Sequence, residues 1–304
     1  MINRDFASRI PCAHPSDEDL LASLRHLWGI VIAPDGEATP GHYSAARRST
    51  PRRSSRSRFQ SALRTTVERV ARLVPRQRLV MALTRRDTGW AAEAVGDVRW
   101  IIQPAWRGSA AELILAALAI VAEDPDATLA LFPSDHLAAD EDALLMAVTS
   151  ATRAVALRPD VPIVLGVRRR RPVRGIWLQP GSPIAGLETF DIREIRRMLR
   201  YPSFADARPL VDADALMSTL VVVVRARTLI DLARVAVPDV LETLEPLENL
   251  FGRVEETLLR DAVYEWMPYA CATDVLSHAE PLAVLPVTSL GVEEGPAPRL
   301  RLAS

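Results

Sequence analysis

Lysine is absent from this chain of 304 residues, so all 37 of its basic side chains are arginine. Any step that uses a compact ammonium group to hold a phosphate must therefore use arginine, whose planar guanidinium binds anions with a different geometry. The formal net charge of −1 gives the whole chain no electrostatic attraction to nucleic acid or to an anionic membrane. We therefore predict that neither is a partner.

Cysteines and long apolar runs are also scarce. The two cysteines, Cys12 and Cys271, lie far apart and match no metal-ligand spacing, so we interpret them as reduced thiols of a cytoplasmic protein. No segment reaches the roughly 18 uninterrupted apolar residues of a membrane span. The N-terminal segment is too polar and acidic for a signal peptide.

The chain does contain an alternation of strand-like and helix-like apolar segments. Several of the strands are continuously apolar, which is typical of a parallel sheet covered on both faces. We predict an α/β fold, a Rossmann-like three-layer α/β/α sandwich with a mostly parallel mixed sheet, whose ligands bind at the carboxyl ends of strands. Strands are predicted at 27–36, 78–84, 98–104, 127–135, 162–167 and 282–287, helices at 59–74, 109–124 and from after residue 135 to about 157, a strand plus a helix at 219–237, and partial helix at 261–279.

We expect residues 1–26 to be an N-terminal leader and residues 27–304 to form a single domain. Residues 38–58 are rich in arginine, serine and proline and lack apolar periodicity, so we predict a mobile loop there. The arginines at 47–58 have no interleaved aromatic residues on which bases could stack. A solvated run of charge explains them better than a nucleic-acid site does.

The stretch "LALFPSDHLAADEDALLMAV" (129–148) passes from an apolar strand into an acidic helix at Ser134-Asp135-His136. Asp135 is either a ligand for a metal or phosphate at the strand end, or an ordinary turn or capping residue. Mg²⁺ binds one or two carboxylates together with substrate phosphate oxygens, so a single aspartate fits the first interpretation. His136 alone is interpreted as structural.

Two other stretches are candidates for anion binding. In "QPAWRGSAAE" (103–112), Arg107-Gly108-Ser109 opens a long apolar helix, whose free N–H groups attract anions while glycine permits close approach. The alternative is an N-cap at Ser109 beside a turn glycine. The run "RRRR" (168–171) follows a strand and is predicted to be a loop of exposed arginines, at a place where substrate phosphates could also meet it.

Taken in order, these segments resemble one enzyme family. The chain carries "QPAWRGSAAELILAAL", "FPSDHLAADEDALLMAV", "IVLGVRRRRPVRGIWLQPG", "VVVVRARTLIDL" and "YEWMPYACATDVLSHAEPLAVLPV". They resemble the sugar-1-phosphate nucleotidyltransferases, most closely the mannose-1-phosphate guanylyltransferase (GDP-mannose pyrophosphorylase) type, over roughly residues 27 to 300. The order and spacing of the segments carry the resemblance more than any single motif does.

The resemblance implies a reaction that joins a nucleoside triphosphate, GTP in the guanylyltransferase type, to a sugar-1-phosphate and releases pyrophosphate. Mg²⁺ would neutralise the phosphates, and catalysis would be mainly positioning and electrostatic stabilisation. A homodimer or a pairing with an active paralogue is a further expectation. The residues implied are Asp135 and Glu294 (or Glu293) for the metal, Gly36, Gln103, Arg107, Gly108 and Ser109 for the nucleotide, Leu178, Gln179 and Gly181 for the sugar, and Arg58 in place of a catalytic lysine.

The chain departs from the family where the chemistry lies. The family's Gly-Gly-x-Gly-Thr-Arg loop wraps the triphosphate, whereas here "PDGEATPG" follows the first strand and only Gly36 matches. Pro34 lacks an N–H donor, and Asp35 and Glu37 add negative charge where phosphates would lie. Tyr201 stands where a second lysine holds the sugar phosphate.

Further departures are Gln179 for the glutamate that grips the sugar hydroxyls and Ala270 where an acidic residue is usual. Because each lost transition-state contact costs a few kcal/mol, several together would lower turnover by many orders of magnitude.

Three interpretations therefore remain open. The chain is an active nucleotidyltransferase in which arginine replaces lysine, or a non-catalytic relative that serves as a binding or regulatory partner of an active one. The third is a nucleotide-sugar-dependent glycosyltransferase. Against the third, the Asp212-Ala213-Asp214 pair lies in a polar connecting stretch and does not end a strand.

Overall fold

A computed structural model of the chain describes residues 23–32, 53–134 and 140–287, apart from the side chains of residues 53–59 and of Trp90. No helix in these ranges is long and apolar enough to cross a membrane. The strands are β1 (Leu27–Ile32), β2 (Leu79–Thr84), β3 (Arg99–Gln103), β4 (Thr128–Pro133), β5 (Ile163–Arg168), β6 (Ile176–Pro183), β7 (Arg193–Arg200), β8 (Leu216–Arg225) and β9 (Ala283–Val287). The helices are α1 (Arg53–Val70), α2 (Thr88–Val95), α3 (Ser109–Val121), α4 (Glu141–Leu157), α5 (Phe204–Asp212), α6 (Ala226–Ala236), α7 (Pro238–Leu244), α8 (Val254–Trp266) and α9 (Ala272–Leu276).

The strands form one mixed sheet in the order β3-β2-β1-β4-β8-β5-β9-β7-β6. Four of the described pairings are parallel and five are antiparallel. The predicted α/β class is confirmed, but the prediction of a mostly parallel sheet is wrong. The physical reason is that β8 runs against both β4 and β5, and that β6 and β7 form a hairpin.

A further pairing closes half of this sheet into a small barrel. Because β6 also pairs with β8, strands β8, β5, β9, β7 and β6 form a ring. The interior of the ring is tightly filled at Gly166 of β5, where an added Cβ would lie 2.8 Å from Val284 Cγ2 and 2.9 Å from Leu216 Cβ. Only glycine fits there without movement of its neighbours.

Helices pack on both faces of the sheet and bury two large apolar clusters, and α5 covers a third, smaller one. Helices α3, α6, α7 and α9 belong to one cluster, which continues into the ring through Val164, Leu178 and Val284. Helices α1, α2 and α4 belong to the other cluster. The three-layer sandwich stays a prediction, because the closed ring departs from a simple layered sheet.

Some element boundaries differ from the prediction. Helix α1 begins at Arg53, so the last part of the predicted 38–58 loop is helical. Helix α2 and the hairpin of β6 and β7 were not predicted. Most of the predicted leader, the remainder of the loop and the chain after Val287 lie outside the described residues.

Candidate functional site at the carboxyl edge of the sheet

Ser134, which follows β4, is held by hydrogen bonds with β1 and α1. The N–H of Ser134 donates to the Ile32 carbonyl at 2.9 Å, and the Thr66 hydroxyl donates to the Ser134 carbonyl at 3.3 Å. Asp140 caps the following helix, accepting a hydrogen bond from the N–H of Ala143 at 2.9 Å. Helix capping is therefore the role of Asp140, while Asp135 lies outside the described residues and its assignment as a metal ligand stays a prediction.

Gln103, the predicted base-facing residue, ends β3 and is fully buried. Its side-chain oxygen accepts a hydrogen bond from the Tyr264 hydroxyl at 3.3 Å. Within the described part of the chain, Gln103 Nε2 has no hydrogen-bond partner. Leaving a buried amide N–H without a hydrogen bond costs free energy, so a ligand bound near Gln103 would be expected to accept a hydrogen bond from this Nε2.

Tyr264 of α8 is itself almost fully buried. Burial raises the pKa of its phenol well above the ordinary value, and the negative charge of Glu112 raises it further, while the positive charge of Arg260 lowers it. Tyr264 therefore remains a neutral donor to Gln103 at any physiological pH. No motif or local pattern in the sequence distinguishes Tyr264 from the other residues of this helix.

The Arg107 side chain forms hydrogen bonds with the C-terminal end of α8. Its Nε donates to the Tyr264 carbonyl and its Nη2 to the Glu265 carbonyl, each at 3.0 Å. The last carbonyls of a helix carry partial negative charge, so a guanidinium stabilises them. The nucleotide-binding assignment of Arg107 stays a prediction, with these bonds as its observed role.

Gly108 and Ser109 contact the segment that follows α8. Gly108 has φ +89°, and an added Cβ would lie 2.1 Å from the Ala270 carbonyl oxygen. That oxygen accepts a hydrogen bond from the N–H of Ala110 at 3.1 Å. Gly108 is the N-cap residue of α3, and the Ser109 hydroxyl oxygen accepts from the N–H of Ala272 at 2.9 Å. The close approach that glycine permits here is made by the chain's own backbone.

The predicted sugar-binding residues lie on β6 in the ring. The Leu178 side chain is fully buried in the core, so only its backbone could approach a sugar. Gln179 is half-buried and lies opposite Arg197 of β7. Gly181 is half-buried, and its carbonyl accepts from Arg193 at 3.5 Å.

The register of β8 brings the start of β6 to the end of β4. At Leu216–Ser218, β5 occupies one edge of β8. Strand β6 pairs with Leu216 and Met217, so it takes the other edge. That is the edge along which β4 pairs, between Val222 and Arg225. Strand β6 therefore begins near the place where β4 ends.

The described residues do not supply the predicted magnesium site. No group of three histidine, cysteine, aspartate or glutamate side chains in the described ranges could hold a metal ion. Asp135, Glu293, Glu294 and Gly36 lie outside those ranges, and Arg58 lies on α1 with its side chain outside them. Asp214, of the alternative Asp212-Ala213-Asp214 pair, forms an ion pair with Arg168.

A cleft of about 640 Å³ lies elsewhere, near the residues that precede β5 and β9. Its charged lining residues are Arg158, Glu194, Arg196 and Glu280, and none of the predicted site residues lines it. Arg158 is committed to Asp160 and to the Ala185 carbonyl.

Comparison with known proteins places the fold beside solved structures named for mannose phosphates. A mannose-1-phosphate geranyltransferase from Thermus thermophilus matches with TM-score 0.71 and 22% identity, over 86% of this chain and 74% of that one. A mannose-6-phosphate isomerase from Helicobacter pylori matches with TM-score 0.63 and 15% identity, over 86% of this chain and 97% of that one. No family model and no curated protein sequence matches the chain. At the level of the fold, the resemblance predicted from the sequence is confirmed.

Proposed function

We propose that this chain is a nucleotidyltransferase-like protein of the mannose-1-phosphate guanylyltransferase type, with weakened or lost catalysis. Its ligands would be a nucleoside triphosphate, GTP in the first instance, and a sugar-1-phosphate. The fold would be the nucleotide-diphospho-sugar transferase sandwich, modified by the closed ring. A cytoplasmic location is part of the proposal.

One observation carries this proposal, which is the convergence of the resembling segments at one edge. The ends of β1, β3 and β4 lie at the carboxyl edge of the parallel strands. The register of β8 brings the start of β6 to the same edge. Ligands of open α/β sheets bind at this edge, and this supports the proposal that the segments resembling the nucleotide, metal and sugar motifs contribute to one site.

The weakening of catalysis is inferred from the departing residues. In the segment after β1, the negative charges of Asp35 and Glu37 would repel a phosphate, and the chain contains no lysine. Arg107 and Ser109 already make hydrogen bonds within the chain. If turnover is lost altogether, the alternative is a binding or regulatory partner of an active relative, as a homodimer or with a paralogue.

In this proposal Asp135 and Glu294 would be the protein ligands of Mg²⁺. The ion would supply charge neutralisation of the phosphates. A transfer from a nucleotide-sugar, as in a glycosyltransferase, is less favoured because Asp214 is paired with Arg168.

The test is calorimetric titration of GTP into the purified protein, with and without Mg²⁺, and into Asp135→Ala. We expect micromolar, Mg²⁺-dependent binding that the substitution abolishes. Pyrophosphate release on addition of mannose-1-phosphate would then measure the remaining activity. Absence of heat with every nucleoside triphosphate would contradict the proposal and direct the search to a protein partner.

A further inference from the structure

The connection between β5 and β6 is unusually basic. Residues 168–174 read Arg-Arg-Arg-Arg-Pro-Val-Arg, which places five arginines in seven residues of a chain with net charge −1. Guanidinium groups bind phosphates with two parallel hydrogen bonds, and such charge-assisted bonds are the stronger ones in proteins. The density of arginine here therefore needs an explanation beyond solubility.

The position of this connection follows from the strand pairings. It leaves β5 at the carboxyl edge and enters β6, which begins beside the end of β4. The strand pairings therefore place it at the edge at which the proposed site lies, near the end of β4.

The arginines of the connection differ in how far they are already engaged. Arg168 pairs with Asp214, and Arg169 and Arg171 have interactions of their own. Arg170 and Arg174 are exposed, and neither has a hydrogen-bond or ion-pair partner in the described part of the chain. These two guanidinium groups are available to a ligand without loss of an internal contact.

We propose that Arg170 and Arg174 form the phosphate-binding wall of the site and hold the phosphate group of the sugar phosphate. They would perform the task that lysine performs in the resembled family, from a different segment of the chain. The inference rests on the proposed function for the identity of the sugar ligand. The phosphate chemistry itself is independent of that identity.

The experiment compares the double variant Arg170→Gln/Arg174→Gln with Arg25→Gln/Arg227→Gln, which removes the same charge from exposed arginines away from this connection. Calorimetry with mannose-1-phosphate, mannose-6-phosphate, GTP and inorganic pyrophosphate distinguishes the possible sources of the phosphate. We expect the dissociation constant of the sugar phosphate to rise roughly 10- to 100-fold in the first variant, because two charge-assisted contacts are lost. The second variant should bind within about twofold of the wild type, since neither Arg25 nor Arg227 belongs to this connection.

The outcomes separate this inference from the proposed function. If sugar phosphates do not bind the wild type but pyrophosphate does, and the first double variant alone loses that binding, the arginine wall stands and the sugar assignment fails. If only GTP binding is weakened in the first double variant, Arg170 and Arg174 bind the triphosphate, and the sugar-phosphate proposal is overturned. Equal weakening in both double variants, no change in either, or no binding of any phosphate compound by the wild type would also overturn it.

Discussion

The two walls of the proposed site are built in opposite ways. On the α3 side, Gln103, Arg107, Gly108 and Ser109 make their contacts with residues 264–272 of the same chain. On the ring side, Arg170 and Arg174 extend into solvent without such partners in the described residues. The first wall is therefore expected to govern stability, and the second to govern ligand binding.

The contrast also limits what a motif in a sequence can mean. The Arg-Gly-Ser segment resembles a nucleotide-binding element, yet its hydrogen-bonding groups hold the end of α8 and the segment after it. The arginine run matches no motif, yet two of its members, Arg170 and Arg174, are exposed and have no partner in the described residues. Substitutions in each wall test this contrast.

Gly108→Ala should have the largest effect on the first wall. The added Cβ would lie 2.1 Å from the Ala270 oxygen at a φ of +89°, so backbone strain and a clash with backbone act together. We expect a loss of about 3–5 kcal/mol in the free energy of unfolding, measured by urea denaturation.

Gly186→Ala is the matched control for that substitution. Gly186 has φ +83° but nothing within 4 Å of an added Cβ, so it bears the strain alone and should lose only about 1–2 kcal/mol. Equal losses in the two variants would show that the contact with Ala270 contributes nothing.

Arg107→Met comes next, because it keeps the apolar stem but removes the guanidinium. Two hydrogen bonds to the carbonyls of Tyr264 and Glu265 are lost, and we expect a cost of about 1–3 kcal/mol in unfolding free energy. Arg227→Met, which removes a single exposed bond to the Pro125 carbonyl, should cost less. If Arg107→Met leaves the unfolding free energy unchanged and weakens GTP binding instead, the Arg107 guanidinium binds the ligand. Both walls would then act in ligand binding, and the contrast between them would fail.

The raised pKa of Tyr264 predicts a pH dependence of stability. Because the folded pKa lies above the ordinary value of 10.0, above that pH the unfolded chain releases a proton that the folded chain retains. Stability is then fully present below pH 10 and falls as pH rises, by up to about 1.4 kcal/mol per pH unit for this one group. Urea denaturation between pH 8 and 11 should show a shallower decline in Tyr264→Phe than in the wild type. If the unfolding free energy falls equally steeply in both proteins, the pKa of Tyr264 is not raised by folding.

The hydrogen bond between Tyr264 and Gln103 is expected to contribute less, about 0.5–1.5 kcal/mol. Tyr264→Phe removes the donor and leaves the buried Gln103 amide without its one observed partner. Adding Gln103→Leu removes that amide as well, so the double variant should be more stable than Tyr264→Phe alone. A double-mutant cycle measured by urea denaturation gives the coupling, and additive costs would contradict a direct bond.

The parallel strands were largely predictable, whereas the β6–β7 hairpin and the closure of the ring were not. Strands such as β1 and β2 are short, almost entirely apolar runs bounded by polar segments, so burial and hydrophobic pattern agree. Strand β7 contains four arginines within Arg193–Arg200, and its strand conformation depends on pairing with β6 and β9. Such pairing is a tertiary effect that no local pattern records.

The direction of β8 was hidden for a related reason. Its run Val221–Val224 is as apolar as a central parallel strand, but an apolar run reports burial on both faces and carries no information on direction. In the site, Tyr264 was missed because its partner, Gln103, is 161 positions away in sequence. The edge itself was predictable, since strand ends in α/β sheets are where ligands bind.

The smallest effect on stability is expected from the second wall. Arg170→Gln/Arg174→Gln removes two exposed charges that have no partners in the described residues, so its unfolding free energy should lie within about 0.5 kcal/mol of the wild type. Relief of repulsion among neighbouring arginines could even make the change slightly stabilising, most visibly at low ionic strength. Urea denaturation at two salt concentrations measures both effects. A loss of more than about 1 kcal/mol would show that these guanidinium groups hold the ring together, and the contrast between a structural wall and a binding wall would then fail.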